Sequence, residues 1–98
     1  MDVLVIGGTR YMGKITVQRL LERGDRVTVF SRGQSRPPWW DQVTHILGDR
    51  NDYPDFGSRL KDRSFDAVID TQAYKWEDVE SAVHTFHGDV GRYLLVST

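Results

Sequence analysis

The 98 residues are 39% hydrophobic and 28% charged, with a formal net charge of −1 and no cysteine. That balance bounds the chain to one globular domain, which buries a little over ~60% of the surface of its unfolded form. It excludes a disulfide framework and thiolate chemistry, has no apolar run of the ~20 residues a bilayer demands, and gives no electrostatic reason for an obligatory nucleic-acid or anionic-membrane partner.

The predicted elements alternate. Residues 2–6 (Asp-Val-Leu-Val-Ile) form a short, continuously apolar strand, as parallel strands covered on both faces do. It is too short and too closely followed by glycine to be a signal peptide, so a cytoplasmic location is the default expectation. A helix is predicted over 11–23, with Met12, Ile15, Thr16, Leu20 and Leu21 on its apolar face and Arg19, Glu22 and Arg23 opposite. Gly24 stops it where a left-handed residue is required. Residues 27–30 make a second strand, so the opening is a βαβ unit. Residues 31–41 (Ser-Arg-Gly-Gln-Ser-Arg-Pro-Pro-Trp-Trp-Asp) make a loop, because two prolines remove two backbone donors. A third strand is predicted over 43–47, a polar turn over 49–54, a short helix over 54–61 and a fourth strand over 65–70. A helix over 76–87, with Val79, Val83 and Phe86 on one face, and a fifth strand over 92–97 complete the pattern.

Alternating strands and helices imply an α/β fold: a Rossmann-type, doubly wound parallel sheet of order 3-2-1-4-5. A full domain of that kind continues beyond strand five. Residues 1–98 therefore read as the N-terminal dinucleotide-binding segment of a longer protein. An uncovered fifth strand predicts self-association through its edge.

The first βα turn carries the strongest chemical signal. Gly7, Gly8 and Gly13 lie between a strand and a helix. Gly7 suits a tight turn after the strand, and Gly13 suits close helix–strand packing. The start of the helix then offers free N–H groups and the positive end of its dipole to a pyrophosphate. Such a turn also occurs in open α/β proteins that bind no nucleotide. Where an NAD enzyme places an acidic residue after strand two, this chain has Ser31 and Arg32. An arginine grips a 2′-phosphate with paired hydrogen bonds, so the residues favour NADP, with NAD possible. The competing reading of Arg32 is a solvated loop side chain.

The run Gly7-Gly8-Thr9-Arg10-Tyr11-Met12-Gly13 resembles the extended and atypical short-chain dehydrogenase/reductases, the NAD-dependent epimerase/dehydratase group. Their Gly-x-x-Gly-x-x-Gly pattern falls on Gly7, Arg10 and Gly13. Arg10 in place of the middle glycine is similar to the atypical branch. Gly48-Asp49-Arg50, Val68-Ile69-Asp70-Thr71 and Leu94-Leu95-Val96-Ser97-Thr98 also have counterparts there. The resemblance implies that residues 7–13, Ser31 and Arg32 bind the cofactor, Arg10 adding a second positive charge. It further implies that Asp49 meets the adenine amino group with help from the backbone of its neighbour Arg50, and that Thr71, Gln72, Ala73 and Ser97 line the pyrophosphate and ribose. Asp49 is equally suited to capping the next turn.

The same family works through a Tyr-x-x-x-Lys pair and a Ser or Thr after strand five. Thr98 matches the hydroxyl. Tyr11, Tyr53, Tyr74 and Tyr93 are followed four residues on by Ile15, Gly57, Asp78 and Ser97, so the pair is absent from this chain. The expectation is a segment that binds cofactor without turnover, taken from an enzyme acting on a nucleotide-sugar or similar small molecule. The alternative is a dinucleotide-sensing or RNA- or protein-binding module. Other clusters have quieter readings. His84 and His87 sit at a solvated helix end, and His45 is packed or half exposed. Asp49, Asp52 and Asp55 suit turns and caps rather than a metal. Trp39-Trp40 reads as a plug over the sheet edge or as a partner-binding loop.

Overall fold

A computed structural model of the chain describes residues 1–7, 11–61, 63–72, 75–86 and 90–95, with the backbone alone described for 11, 12 and 90–95. Five parallel strands form one sheet in the order β3-β2-β1-β4-β5. They are β1 (Asp2–Ile6), β2 (Arg26–Ser31), β3 (Thr44–Leu47), β4 (Phe65–Asp70) and β5 (Val90–Leu95). Three α-helices accompany them: α1 (Tyr11–Glu22), α2 (Tyr53–Leu60) and α3 (Trp76–Phe86). Element order and sheet order match the sequence reading. The fifth strand begins two residues before the predicted start.

The two faces of the sheet are covered differently. Val3 and Val5 of β1 alternate with Leu4 and Ile6, and β2 continues the division with Val27 and Val29 against Phe30. The first face packs Val3, Val5, Val27, Val29 and Ala67 against Val17 of α1 and against Trp39 and Trp40. The second packs Leu4, Ile6, Phe30, Ile46 and Val68 against Phe56 and Leu60 of α2 and Ala82 and Phe86 of α3. No α-helix connects β2 to β3, only a single 3-10 turn at Trp40–Gln42. The two tryptophans, 1% and 8% exposed, cover the first face where a crossover helix would otherwise lie. Trp39 donates its indole N–H to the Lys14 carbonyl at 3.2 Å, tying the loop to α1. Trp40 stacks on His45 at 3.8 Å between ring centroids. The plug reading of this pair fits; its place is the sheet face rather than the edge alone.

Local signals set the helix ends. Gly24 has φ +91°, and the amides of Gly24 and Asp25 return to the carbonyls of Leu21 and Leu20, closing α1 with two reciprocal bonds. Asp52 caps α2 by accepting from the Asp55 amide at 3.1 Å. Two helix faces differ from expectation. Ile15 of α1 is 58% exposed, and Val17, outside the predicted apolar face, is fully buried. In α3 the buried stripe is Asp78, Ala82 and Phe86, while Val83 is 53% exposed. Asp78 is held inside by polar partners, and this rotates α3 by about one residue relative to its apolar pattern.

Replacing Trp39 by Ala removes both the largest side chain of the first face and its bond to α1. Large-to-small changes of this kind cost ~3–5 kcal/mol. A domain of this size holds only ~5–15 kcal/mol in total. Urea unfolding of Trp39→Ala is expected to show a midpoint collapse, with Trp39→Phe losing markedly less.

Candidate functional site

Parallel pairing brings the C-terminal ends of all strands to one edge. Ile6 lies level with Phe30 on one side and Asp70 on the other, and Ser31 lies level with Leu47. The ladder continues past the strands: the Gly7 amide donates to Phe30 O at 2.8 Å, Gly48 to Ser31 O at 2.9 Å and Thr71 to Ile6 O at 3.1 Å. The order reverses between β1 and β4, and in open parallel sheets the ligand crevice lies at that reversal.

Gly7 and the Thr71–Gln72 segment meet there. Gly7 has φ +90°, and a Cβ added to it would stand 2.5 Å from Gln72 Cγ and 2.7 Å from Thr71 Oγ1. Both the conformation and the space require glycine. Thr71 donates its hydroxyl to Ile6 O at 2.7 Å, and the Gln72 amide donates to Asp70 Oδ1 at 3.0 Å. The loop after β4 is thus fixed to the strand before the glycine turn. Gly13 is buried on the first turn of α1. Gly8, Thr9, Arg10, Ala73, Ser97 and Thr98 lie outside the described residues, as do the side chains of Tyr11 and Met12.

The remaining predicted residues divide. Arg32 is exposed at the end of β2 and forms no ion pair with any described residue. Ser31 is buried, and its hydroxyl accepts the Gly33 amide at 3.2 Å, so it shapes the turn. Asp49 accepts the Asn51 amide at 2.8 Å, the capping arrangement. Asp55 holds Arg59 at 2.7 Å, and that guanidinium keeps its carboxyl below the usual carboxylate range.

The Arg50 side chain is spent on the protein interior, whereas the contact expected of this residue is through its backbone. It is 3% exposed and faces the fully buried Asp70, Nη2 to Oδ2, at 2.9 Å. It also donates to Ser81 Oγ at 2.8 Å and to the Asp78 carbonyl, and it lies 4.2 Å above the Phe56 ring. Asp78 in turn accepts the Tyr53 hydroxyl at 2.7 Å and the Lys75 amide at 3.3 Å. The signal for this network was an aspartate that directly follows the apolar run Ala67-Val68-Ile69 at the end of β4. Only the fold shows which arginine answers it.

Residues 3–94 match the family model described as the NAD dependent epimerase/dehydratase family. The chain belongs to that family. A 35% identical relative, the Chloroplast stem-loop binding protein of 41 kDa b of Arabidopsis thaliana, aligns over 91 residues, 80% of this chain and 24% of that protein. The chain therefore spans about a quarter of the length of that curated relative. The UDP-Glc/GlcNAc 4-epimerase of Campylobacter jejuni superposes with a TM-score of 0.74 at 14% identity, over 96% of this chain and 36% of the epimerase. The Bordetella bronchiseptica enzyme WbmG, solved in complex with NAD, gives 0.76 at 16% identity, over 97% of this chain and 36% of WbmG. At such identities these two structures speak for the fold alone, a Rossmann-type parallel sheet.

Tyr53 supplies a pH test of the network behind the edge. Its bond to the Asp78 carboxylate, helped by burial, pushes the phenol up from 10.0 to about 12. The stabilisation is complete below pH 10.0 and is lost as pH rises through about 12. Tyr53→Phe is expected to be less stable than the parent at neutral pH, and the two urea midpoints should converge toward the alkaline end. Parallel curves would show that the bond does not contribute.

Proposed function

We propose that this chain is the nucleotide-binding half-site of an atypical short-chain dehydrogenase/reductase and that it binds NADP in preference to NAD. The observation that carries the reading is the Gly7 turn seated against Thr71 and Gln72 at the strand-order reversal, with α1 beginning at Tyr11. The start of α1 at this reversal offers free amides and the positive end of its dipole to a pyrophosphate. The described residues are compatible with such a group. Gly7 has the φ of +90° that a tight turn after β1 requires, and Arg32 is an exposed cation beside the end of β2. Arg32 favours a 2′-phosphate where a carboxylate would repel it.

The full-length activity in this reading is an epimerisation, dehydration or reduction of a nucleotide-sugar or similar small molecule. The 98 residues contain no Tyr-x-x-x-Lys pair, so the chain alone binds dinucleotide without turning it over. Calorimetric titration tests the reading. The wild type is expected to bind NADP more tightly than NAD, and Arg32→Ala to lose roughly tenfold for NADP while leaving NAD unchanged. Equal affinities in the wild type would end the preference, and failure of the folded chain to bind either would end the site.

A second reading, RNA binding, is favoured by charge segregation. Residues 10–36 hold seven of the thirteen Lys and Arg but only Glu22 and Asp25 of the fourteen acids. Lys14, Arg19, Arg23, Arg26, Arg32 and Arg36 are all exposed. The relative at 35% identity carries a stem-loop-binding name. Arg19, Arg23 and Arg26 are already paired with Glu22, Asp25 and Asp2, which weakens the field they project. Anisotropy titration of a labelled RNA hairpin discriminates: this reading requires binding that falls steeply with salt and weakens in Lys14→Glu/Arg36→Glu, and salt-independent or absent binding rejects it.

A further inference from the structure

We propose that Arg50 is a positioning residue of the dinucleotide site: through its buried ion pair with Asp70 it sets the loop that closes on the Gly7 turn. The proposal rests on the cofactor reading above and assigns part of that site's geometry to a residue that has no surface of its own to offer a ligand.

The chain of contacts is short. Asp70 is the last residue of β4 and is fully buried. Its two carboxylate oxygens do different things. Oδ2 takes Arg50 Nη2 at 2.9 Å, and Oδ1 accepts the Gln72 amide at 3.0 Å. The second bond bends the chain immediately after the strand. It delivers Thr71 to the Ile6 carbonyl and Gln72 to the space beside Gly7. Arg50 fixes the carboxylate from behind, and it is itself held at three more points: Ser81 Oγ, the Asp78 carbonyl and the Phe56 ring. One guanidinium therefore ties the turn after β3, the end of β4 and the first turns of α3 to a single point beneath the ligand edge.

Stability alone does not account for a charged pair at this position. Removing two charges from water costs several kcal/mol per ion, and well-packed apolar replacements are often neutral or better. What an apolar pair cannot supply is an acceptor for the Gln72 amide at a fixed height above the sheet. Arg50 Nε finds no hydrogen-bond partner among the described residues, so the arrangement is not optimised as a fully satisfied network. It is arranged to aim one carboxylate.

The experiment separates positioning from folding. Arg50→Met/Asp70→Leu replaces the buried pair with apolar side chains of similar reach, and Arg50→Lys keeps the charge but loses the forked donor set. Each variant is followed by thermal unfolding, by hydrogen exchange at the Gln72 amide, and by calorimetric titration with NADP. The double variant is expected to remain folded, to exchange the Gln72 amide at least roughly tenfold faster, and to bind NADP roughly tenfold more weakly or worse. Arg50→Lys is expected to shift both readouts in the same direction by less, which keeps the test decisive if the double variant does not fold. Wild-type affinity together with wild-type Gln72 exchange in either folded variant overturns the proposal. A wild-type chain that binds neither NADP nor NAD overturns the cofactor reading instead, and the exchange rates still decide whether Arg50 sets the loop.

Discussion

The arrangement of this chain depends on one steric constraint, the contact between Gly7 and the segment after β4. Two strand ends approach so closely that no side chain fits between them, and the first turn must adopt a backbone conformation that L residues avoid. Every other element either permits that approach or exploits it. Parallel pairing of β1 with both β2 and β4 levels Ile6 with Phe30 and Asp70, so that the residues after each strand emerge at one height. The order β3-β2-β1-β4-β5 then places the sheet's reversal at the same contact. The helices that follow β1 and β4 pack on opposite faces, the arrangement that opens a ligand crevice in sheets of this kind.

Covering those faces takes two different solutions. α2 and α3 form a conventional helical layer, with Phe56 set edge-on to both Phe30 and Phe86. On the other face one α-helix must serve three strands, and Trp39 and Trp40, after Pro37 and Pro38, complete the layer without a second α-helix. The prolines restrict the loop's freedom before folding, and the tryptophans bury much apolar area over few residues. The same economy explains His45. Standing on an edge strand, it closes the outer side of Trp40 by stacking on the ring and bonding to the Trp40 carbonyl at 2.5 Å.

The strands and their order were readable because buried parallel strands are continuous apolar runs and the turns between them carry Gly, Pro and Asp. The glycine turn was readable for the same reason: Gly7 answers a local demand. Non-local demands were not. Ile15 and Val83 look like core residues by helical spacing, yet both face outward, because the rotation of a helix is set by what it meets. α3 turns Asp78 inward, since Tyr53 and Arg50 reach it from elsewhere in the chain, beside the local bond from the Lys75 amide. Arg50 illustrates the limit best. Beside Asp49 in a polar turn it has the sequence context of a ligand contact, and no periodicity announces a buried partner 20 residues away.

Such a buried charge network sits awkwardly in a small domain, where stability is marginal and an apolar core is the cheaper solution. Its position resolves the difficulty. The polar residues do not lie in the middle of the second core cluster, which is uniformly apolar. They line its upper boundary, between the core and the edge where the loops emerge. At this edge the ladder runs only one residue past the strands, to Gly7, Gly48 and Thr71, and beyond it the loops turn away and the backbone no longer finds regular pairing. The orphaned amides need acceptors of fixed position, and a carboxylate held by a forked arginine provides one that does not move with the side chains packed below it. Asp70 is therefore the point at which the apolar logic of the sheet changes into the polar logic of its edge.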